Sequence, residues 1–128
     1  EPRRVVSEAT ADQMTEMLTN VVEEGTGEAA RVEGYPVAGK TGTAQVVGIK
    51  QGGRYDAGSM ARKHRDHALF IAYAPAENPT IAIAVMVENG EHGGSTAAPI
   101  ARAVFDYYLT GKRPGGMKLE LEADDAAD

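Results

Sequence analysis

The sequence predicts an α+β fold, an antiparallel meander of three strands flanked by helices. Three observations predict it. His67 to Ala74 and Thr80 to Val87 are apolar runs joined by Pro75-Ala76-Glu77-Asn78-Pro79, the pattern of a hairpin of buried strands. Val37 to Ile49 adds a strand pattern ahead of them. Before and after these segments, apolar residues recur at helical spacing.

The elements follow in order. Ser7 is a candidate N-cap, with Glu8 and Asp12 near the helix start. Met14, Met17, Leu18, Val21 and Val22 form an apolar stripe expected in the core, and Gly25 and Gly27 stop the helix, which places it over residues 8 to 24. A loop from Gly25 to Ala30 leads to the first strand. Gln51 to Asp66 is polar, lacks an apolar period and carries Arg54, Arg62, Lys63 and Arg65. It reads as a long mobile loop, of a length that is functional or disordered in compact domains. The hairpin strands are continuously apolar, which predicts burial on both faces. Two helices can cover one sheet face, so the second face needs a segment from outside this chain. Asn89-Gly90-Glu91-His92-Gly93-Gly94 ends the hairpin. Ser95 is a candidate cap for a last helix to about Leu109, with Pro99 tolerated near its first turn. Ala97, Ile100, Ala101, Val104, Phe105 and Tyr108 form its stripe, and Gly111 ends it.

At 128 residues the chain is one domain or a piece of one. A hydrophobic fraction of 42% supports a core, although alanine supplies much of it and tryptophan is absent. The lack of cysteine excludes disulfides and thiolate metal sites, and suits an oxidising compartment. No run approaches a membrane span, and Glu1-Pro2-Arg3-Arg4 is not followed by the apolar core of a signal peptide; an anchor could lie upstream. The net charge of -6 comes mostly from Glu120, Glu122, Asp124, Asp125 and Asp128, which leaves the preceding residues nearly neutral. That balance gives no electrostatic case for nucleic acid. Residues 1–111 are the expected folded unit and 112–128 an acidic, disordered tail.

The chemistry concentrates in Lys40-Thr41-Gly42-Thr43, where a cation, two hydroxyls and a glycine share one strand. Alternation puts Lys40 and Gly42 on one face and Thr41 and Thr43 on the other. All four can line one cleft only if the strand is an edge or is twisted. Gly34-Tyr35-Pro36-Val37-Ala38-Gly39-Lys40-Thr41 also matches the phosphate-loop expression. Its context fails, because Val32-Glu33 is too short a preceding strand and Gly42 to Gly48 is a poor helix. His64, Asp66 and His67 could be metal ligands, but no third histidine lies near. His92 reads as a packed or wet loop residue. Arg62-Lys63-His64-Arg65 reads as a solvated stretch, with lipid headgroups or glycan as the alternative contact.

Lys-Thr-Gly is the third motif of penicillin-binding proteins and class A β-lactamases. The motif strand, the loop, the run Ala68 to Pro75 and the Ala/Pro helix follow the order of that serine β-lactamase-like transpeptidase fold. From about Ser7 to Gly111 the chain resembles class B penicillin-binding transpeptidases. Gly25-Thr26-Gly27 also fits, and Val87 to Ile100 is most similar to the elongation-type members. The resemblance implies the C-terminal part of a transpeptidase domain. The nucleophile motif Ser-x-x-Lys is missing here: Ser7, Ser59 and Ser95 are followed three residues on by Thr10, Arg62 and Ala98. It would come from the N-terminal remainder of the protein, and this chain alone is expected to be inactive.

The resemblance further implies roles for the motif. Lys40 and Thr43 are catalytic, Lys40 through its charge and Thr43 through a backbone N–H in the oxyanion hole. Thr41, Gly42 and Thr43 bind substrate. The implied ligands are D-Ala-D-Ala stem peptides of peptidoglycan and β-lactams, with other cell-wall elongation proteins as partners. The implied location is the periplasmic face of the bacterial inner membrane, and neither cofactor nor metal is implied. A non-catalytic module that keeps the cleft wall to hold a peptide or partner is the alternative.

Overall fold

The computed structural model describes residues 1–48, 53, 54, 56, 58 and 60–115. Most of the acidic tail, and five residues of the segment from Gln51 to Asp66, therefore lie outside the described residues. Helix α1 (Glu8–Glu24) is followed by β1 (Ala38–Ala44), β2 (His67–Ala74), β3 (Ile81–Val87) and α2 (Ala98–Thr110). Short 3-10 turns cover Glu28–Ala30 and Arg62–His64, and a π-helical turn covers Gly93–Ala97. The sheet is an antiparallel meander in the order β1-β2-β3, so β1 is an edge.

Local signals set the ends of α1. Ser7 stays extended and its hydroxyl accepts from the Thr10 N–H, while the Gly25 N–H closes onto the Val21 carbonyl. The hairpin is closed by the Thr80 N–H on the Ala74 carbonyl, so β3 starts at Ile81, one residue later than expected. The Ala76 N–H donates to Pro36 O, which ties the hairpin turn to the segment entering β1.

The core lies on one face of the sheet. Ala68, Phe70, Ala72 and Ala74 of β2 pack there with Val22, Ala30, Val37, Ala98, Ala101 and Phe105, flanked by Ile81, Ile83, Val85 and Val87. Phe70 and Phe105 are fully buried, each contributing on the order of 2–3 kcal/mol of burial. Away from Ala38, which is fully buried, and Tyr73, whose hydroxyl lies 2.8 Å from Thr15 Oγ1 of α1, the opposite face is open: Ile71 is 58% and Met86 63% exposed. The described residues therefore do not bury both faces, and among them β3 pairs only with β2.

Four further expectations are corrected. Met14 and Met17 are 46% and 55% exposed, because α1 packs mainly along β1 and buries only Val22 fully. β1 ends at Ala44, not Ile49, because its register runs out against His67, the first residue of β2. Just beyond, the Val46 N–H turns to the Asp66 carboxylate at 3.2 Å; Ile49 itself lies outside the described residues. Ser95 does not cap α2. The π-helical turn precedes the helix, whose N-cap Ala97 has no side-chain bond, and Thr96 donates its hydroxyl to Gly90 O. The stripe of α2 narrows to Ala97, Ala98, Ala101 and Phe105, while Ile100, Val104 and Tyr108 face outward. Gly111 ends α2 in the left-handed conformation, as expected.

Candidate functional site

Lys40, Thr41, Gly42 and Thr43 occupy the middle and end of the edge strand β1. Lys40 and Gly42 face the open side of the sheet, opposite Ile71 and Leu69. Thr41 and Thr43 face the other side, opposite Phe70 and Ala68. The free edge reconciles the two faces. The Lys40 ammonium curls round it and donates to the Thr41 carbonyl at 3.0 Å and to Thr41 Oγ1 at 3.2 Å. Lys40 and Thr43 are exposed and Thr41 and Gly42 half-buried, so none is sealed in the core.

Three segments brace this strand. Gly39 rests on β2 so closely that a Cβ would meet Phe70 Cζ and Ala72 Cβ at 2.9 Å, which seats β1 immediately before the motif. The turn after α1 brings Thr26 Oγ1 to 2.9 Å from Thr41 Oγ1. Sequence reading assigned Thr26 no role. Its signals are a hydroxyl flanked by two glycines just beyond a helix and the fit of Gly25-Thr26-Gly27 to the resemblance. The turn before α2 presses its backbone from below: a Cβ on Gly93 would run into Leu69 O and lie 2.9 Å from Gly42 O. A Cβ on Gly42 would sit 3.2 Å from Leu69 Cβ, so the bare backbone there is crowded on the open face as well.

The far end of β1 is pinned by a polar cluster. Asp66 is buried and accepts from the Val46 N–H, while its carbonyl accepts from the Glu91 N–H at 2.9 Å. Arg65 pairs with Glu91 at 2.9 Å, and Asn89 Nδ2 donates to Arg65 O at 2.7 Å. The Asn89 N–H donates to His67 Nδ1 at 2.9 Å. That bond occupies one ring nitrogen of His67. Among the described residues no group of three or more His, Cys, Asp or Glu is placed to hold a metal ion. Lys40 sits mid-strand and not at a helix start, so the phosphate-loop match forms no anion cradle.

An apolar hollow of about 210 Å³ opens beside the motif between Leu18 of α1 and the strands, where Ala38, Gly39, Ile71, Tyr73 and Ala82 line it. A hollow of about 490 Å³ at the end of α2 contains none of the motif residues. Near that end of α2, Tyr35 is pushed up to about 12 by burial, then by the Asp106 charge and their 3.4 Å hydrogen bond, with Arg102 opposing. No helix among the described residues is long and apolar enough to cross a membrane.

Residues 1–106 match the penicillin binding protein transpeptidase domain. The chain is 50% identical over 106 residues to the peptidoglycan D,D-transpeptidase MrdA of Acinetobacter baumannii, covering 83% of this chain but 16% of that protein. It is similar to the crystal structure of Pseudomonas aeruginosa PBP2 in complex with WCK 5153, with a TM-score of 0.66 and 40% identity over 89% of this chain and 24% of that one. It is also similar to penicillin-binding protein A of M. tuberculosis in its penicillin G acyl-enzyme complex, with a TM-score of 0.62 and 37% identity over 85% of this chain and 22% of that one. The chain thus spans about a sixth of the curated relative and about a quarter or less of these solved chains.

Proposed function

The chain belongs to the penicillin-binding protein transpeptidase family, and we propose that it is the C-terminal part of a peptidoglycan D,D-transpeptidase of the MrdA type, working by a serine acyl-enzyme. The remainder of the protein supplies Ser-x-x-Lys, and residues 1–111 supply one wall of the cleft. The observation that carries this reading is the Lys40 ammonium folded round the free edge of β1 onto Thr41. An edge strand presents unpaired backbone groups to an extended peptide, as strand addition requires. The stem peptide ends in D-Ala-D-Ala and carries a terminal carboxylate. Lys40 attracts that carboxylate, and the hydroxyls of Thr41 and Thr43 donate to it.

The same edge suits the chemistry. The Thr41 carbonyl turns to the free edge, where Lys40 reaches it. In an antiparallel strand the residue two further on directs its backbone groups the same way. Thr43 therefore offers its N–H at the edge as an oxyanion donor, with the nucleophile's own N–H as its partner. One such donor is worth about 3–4 kcal/mol in other enzymes. Gly42 lets the peptide backbone approach between them. In acylation the serine hydroxyl gives up its proton as its oxygen bonds to the carbonyl carbon, the C–N bond to the leaving amine breaks, and Lys40 helps pass the proton through the serine motif to that amine. β-Lactams, as carboxylate-bearing acylating agents, enter by the same route. The open sheet face fits cover by the N-terminal remainder. The periplasmic face of the inner membrane, with other elongation proteins as partners, fits the MrdA relationship.

Lys40→Ala in the whole enzyme tests the assignment. Loss of a charge-assisted contact, worth about 1.5–3 kcal/mol, slows acylation by labelled penicillin roughly 10- to 100-fold. The melting temperature stays near wild type, because Lys40 is exposed and packs little. An unchanged acylation rate would overturn the assignment.

A further inference from the structure

We infer that Thr26 is a positioning residue for the cleft: its hydroxyl donates to Thr41 Oγ1 and so turns the Thr41 proton toward the carboxylate of the ligand, a role that rests on the transpeptidase reading above. Hydrogen-bonding capacity carries the inference. A threonine hydroxyl has one proton and two acceptor sites, whereas an ammonium only donates. Lys40 therefore fills one acceptor site of Thr41 Oγ1, at 3.2 Å. Thr26 Oγ1 stands 2.9 Å from the same oxygen, and that pair can run in either direction. If Thr41 donates, its only proton points into the turn after α1, and it has nothing to give a ligand. If Thr26 donates, both acceptor sites of Thr41 are filled and its proton is left pointing outward. An ionised carboxylate accepts and never donates, so it selects the second arrangement. Donation from Lys40 and Thr26 into one oxygen also polarises the Thr41 O–H, which strengthens its bond to the carboxylate.

The placement of Thr26 is built. The N–H groups of Gly25 and Gly27, on either side of it, both donate to the Val21 carbonyl, at 3.1 and 3.0 Å. That fork fixes the backbone at the end of α1. From the core side, a Cβ on Gly94 would lie 2.5 Å from Thr26 O and 3.7 Å from Thr41 Cγ2. The bare Gly94 backbone is thus wedged against both threonines and holds them at one spacing. The end of α1, the motif strand and the turn before α2 converge on this hydroxyl pair.

The test uses the whole transpeptidase and two ligands: benzylpenicillin, with a free carboxylate, and its methyl ester, without the charge. Acylation rate constants are measured for wild type, Thr26→Val, which keeps the shape and removes the hydroxyl, and Thr26→Ser, which keeps the hydroxyl. Thr26→Val slows benzylpenicillin about tenfold and the ester less than about twofold, and Thr26→Ser stays within about threefold of wild type for both. On a Thr41→Val background, Thr26→Val slows benzylpenicillin by less than about twofold more. The ratio of two ligands in one preparation does not depend on the folded fraction, so a destabilised variant still decides the question. Four results each overturn the inference: an unchanged rate in Thr26→Val, equal slowing of both ligands, a Ser variant as slow as the Val variant, or a full further loss on the Thr41→Val background. A wild-type enzyme that takes no label from penicillin would instead sink the transpeptidase reading, which keeps the two failures apart.

Discussion

Replacing Gly93 by alanine perturbs the motif from behind, without changing the identity of any residue that meets the ligand. Gly93 is buried in the π-helical turn, under the register pair formed by Gly42 and Leu69. An added Cβ would run into Leu69 O and lie 2.9 Å from Gly42 O and 3.2 Å from Gly42 N. Those obstacles are backbone atoms of two paired strands, so no side-chain rotation relieves them. The turn and the motif strand must part by roughly 1 Å before ordinary contact is restored. Overpacking of that kind costs about 1–3 kcal/mol of stability. A displacement of about 1 Å in groups that position a substrate costs about 100-fold in rate. The assay is the acylation rate constant with labelled penicillin beside a thermal melt, both on the whole enzyme. Gly48→Ala is the control, since nothing lies within 4 Å of a Cβ there. The Gly93 variant is expected to melt several degrees lower and acylate one to two orders of magnitude more slowly, with the control at wild-type values. A Gly93 variant that melts lower yet acylates normally would show that the turn supports the fold without setting the motif, and the reasoning would fail.

Two further outcomes follow from the same structure. The Tyr35 phenol is raised from 10.0 to about 12, so its contribution to stability is complete below pH 10 and is lost as pH rises to about 12. Tyr35→Phe should flatten the fall of melting temperature across that window, and difference absorbance titration should show the missing phenol ionising near pH 12; a missing phenol near pH 10 contradicts it. Residues 1–128 expressed alone should take no covalent label from penicillin and show no cooperative urea transition. No serine here has a lysine three residues on, as Ser-x-x-Lys requires, and Ile71 and Met86 leave one sheet face open. Covalent labelling together with a sharp transition would show a complete site within the chain.

What was legible in the sequence was what neighbouring residues decide. Ser7 and Gly25 bound α1 by bonds within its own ends, and the apolar run of β2 was placed to the residue. Errors arose where a distant partner decided. Val46 and Val47 read as strand by propensity, yet the Asp66 carboxylate, 20 residues on, takes the Val46 N–H and the ladder stops. Ser95 looked like a cap by type, but the close approach of Gly93 and Gly94 to β1 and to the turn after α1 imposes a π-helical turn first. Periodicity marks Met14, Met17, Ile100 and Val104 as apolar faces but does not report whether this chain covers them, and each is exposed.

The candidate site divides along the same line. Lys40 to Thr43 could be singled out because the four are contiguous, whereas Thr26 stands 15 residues from Thr41 and joins it only through the fold. Alternation along a strand argues against a lysine and the next threonine serving one ligand, since their side chains leave opposite faces. In a central strand that objection would hold, because the neighbouring strands wall off one face from the other. At an edge the long lysine stem can pass round the backbone, and the 3.0 and 3.2 Å contacts of Nζ with Thr41 are that passage. The position of β1 at the end of the sheet order is thus what turns four consecutive residues into one surface. It also makes the bracing residues necessary, because an edge strand has a sheet partner on one side only. Gly39, Thr26 and the Gly93-Gly94 turn supply the restraint that a second neighbouring strand would otherwise give.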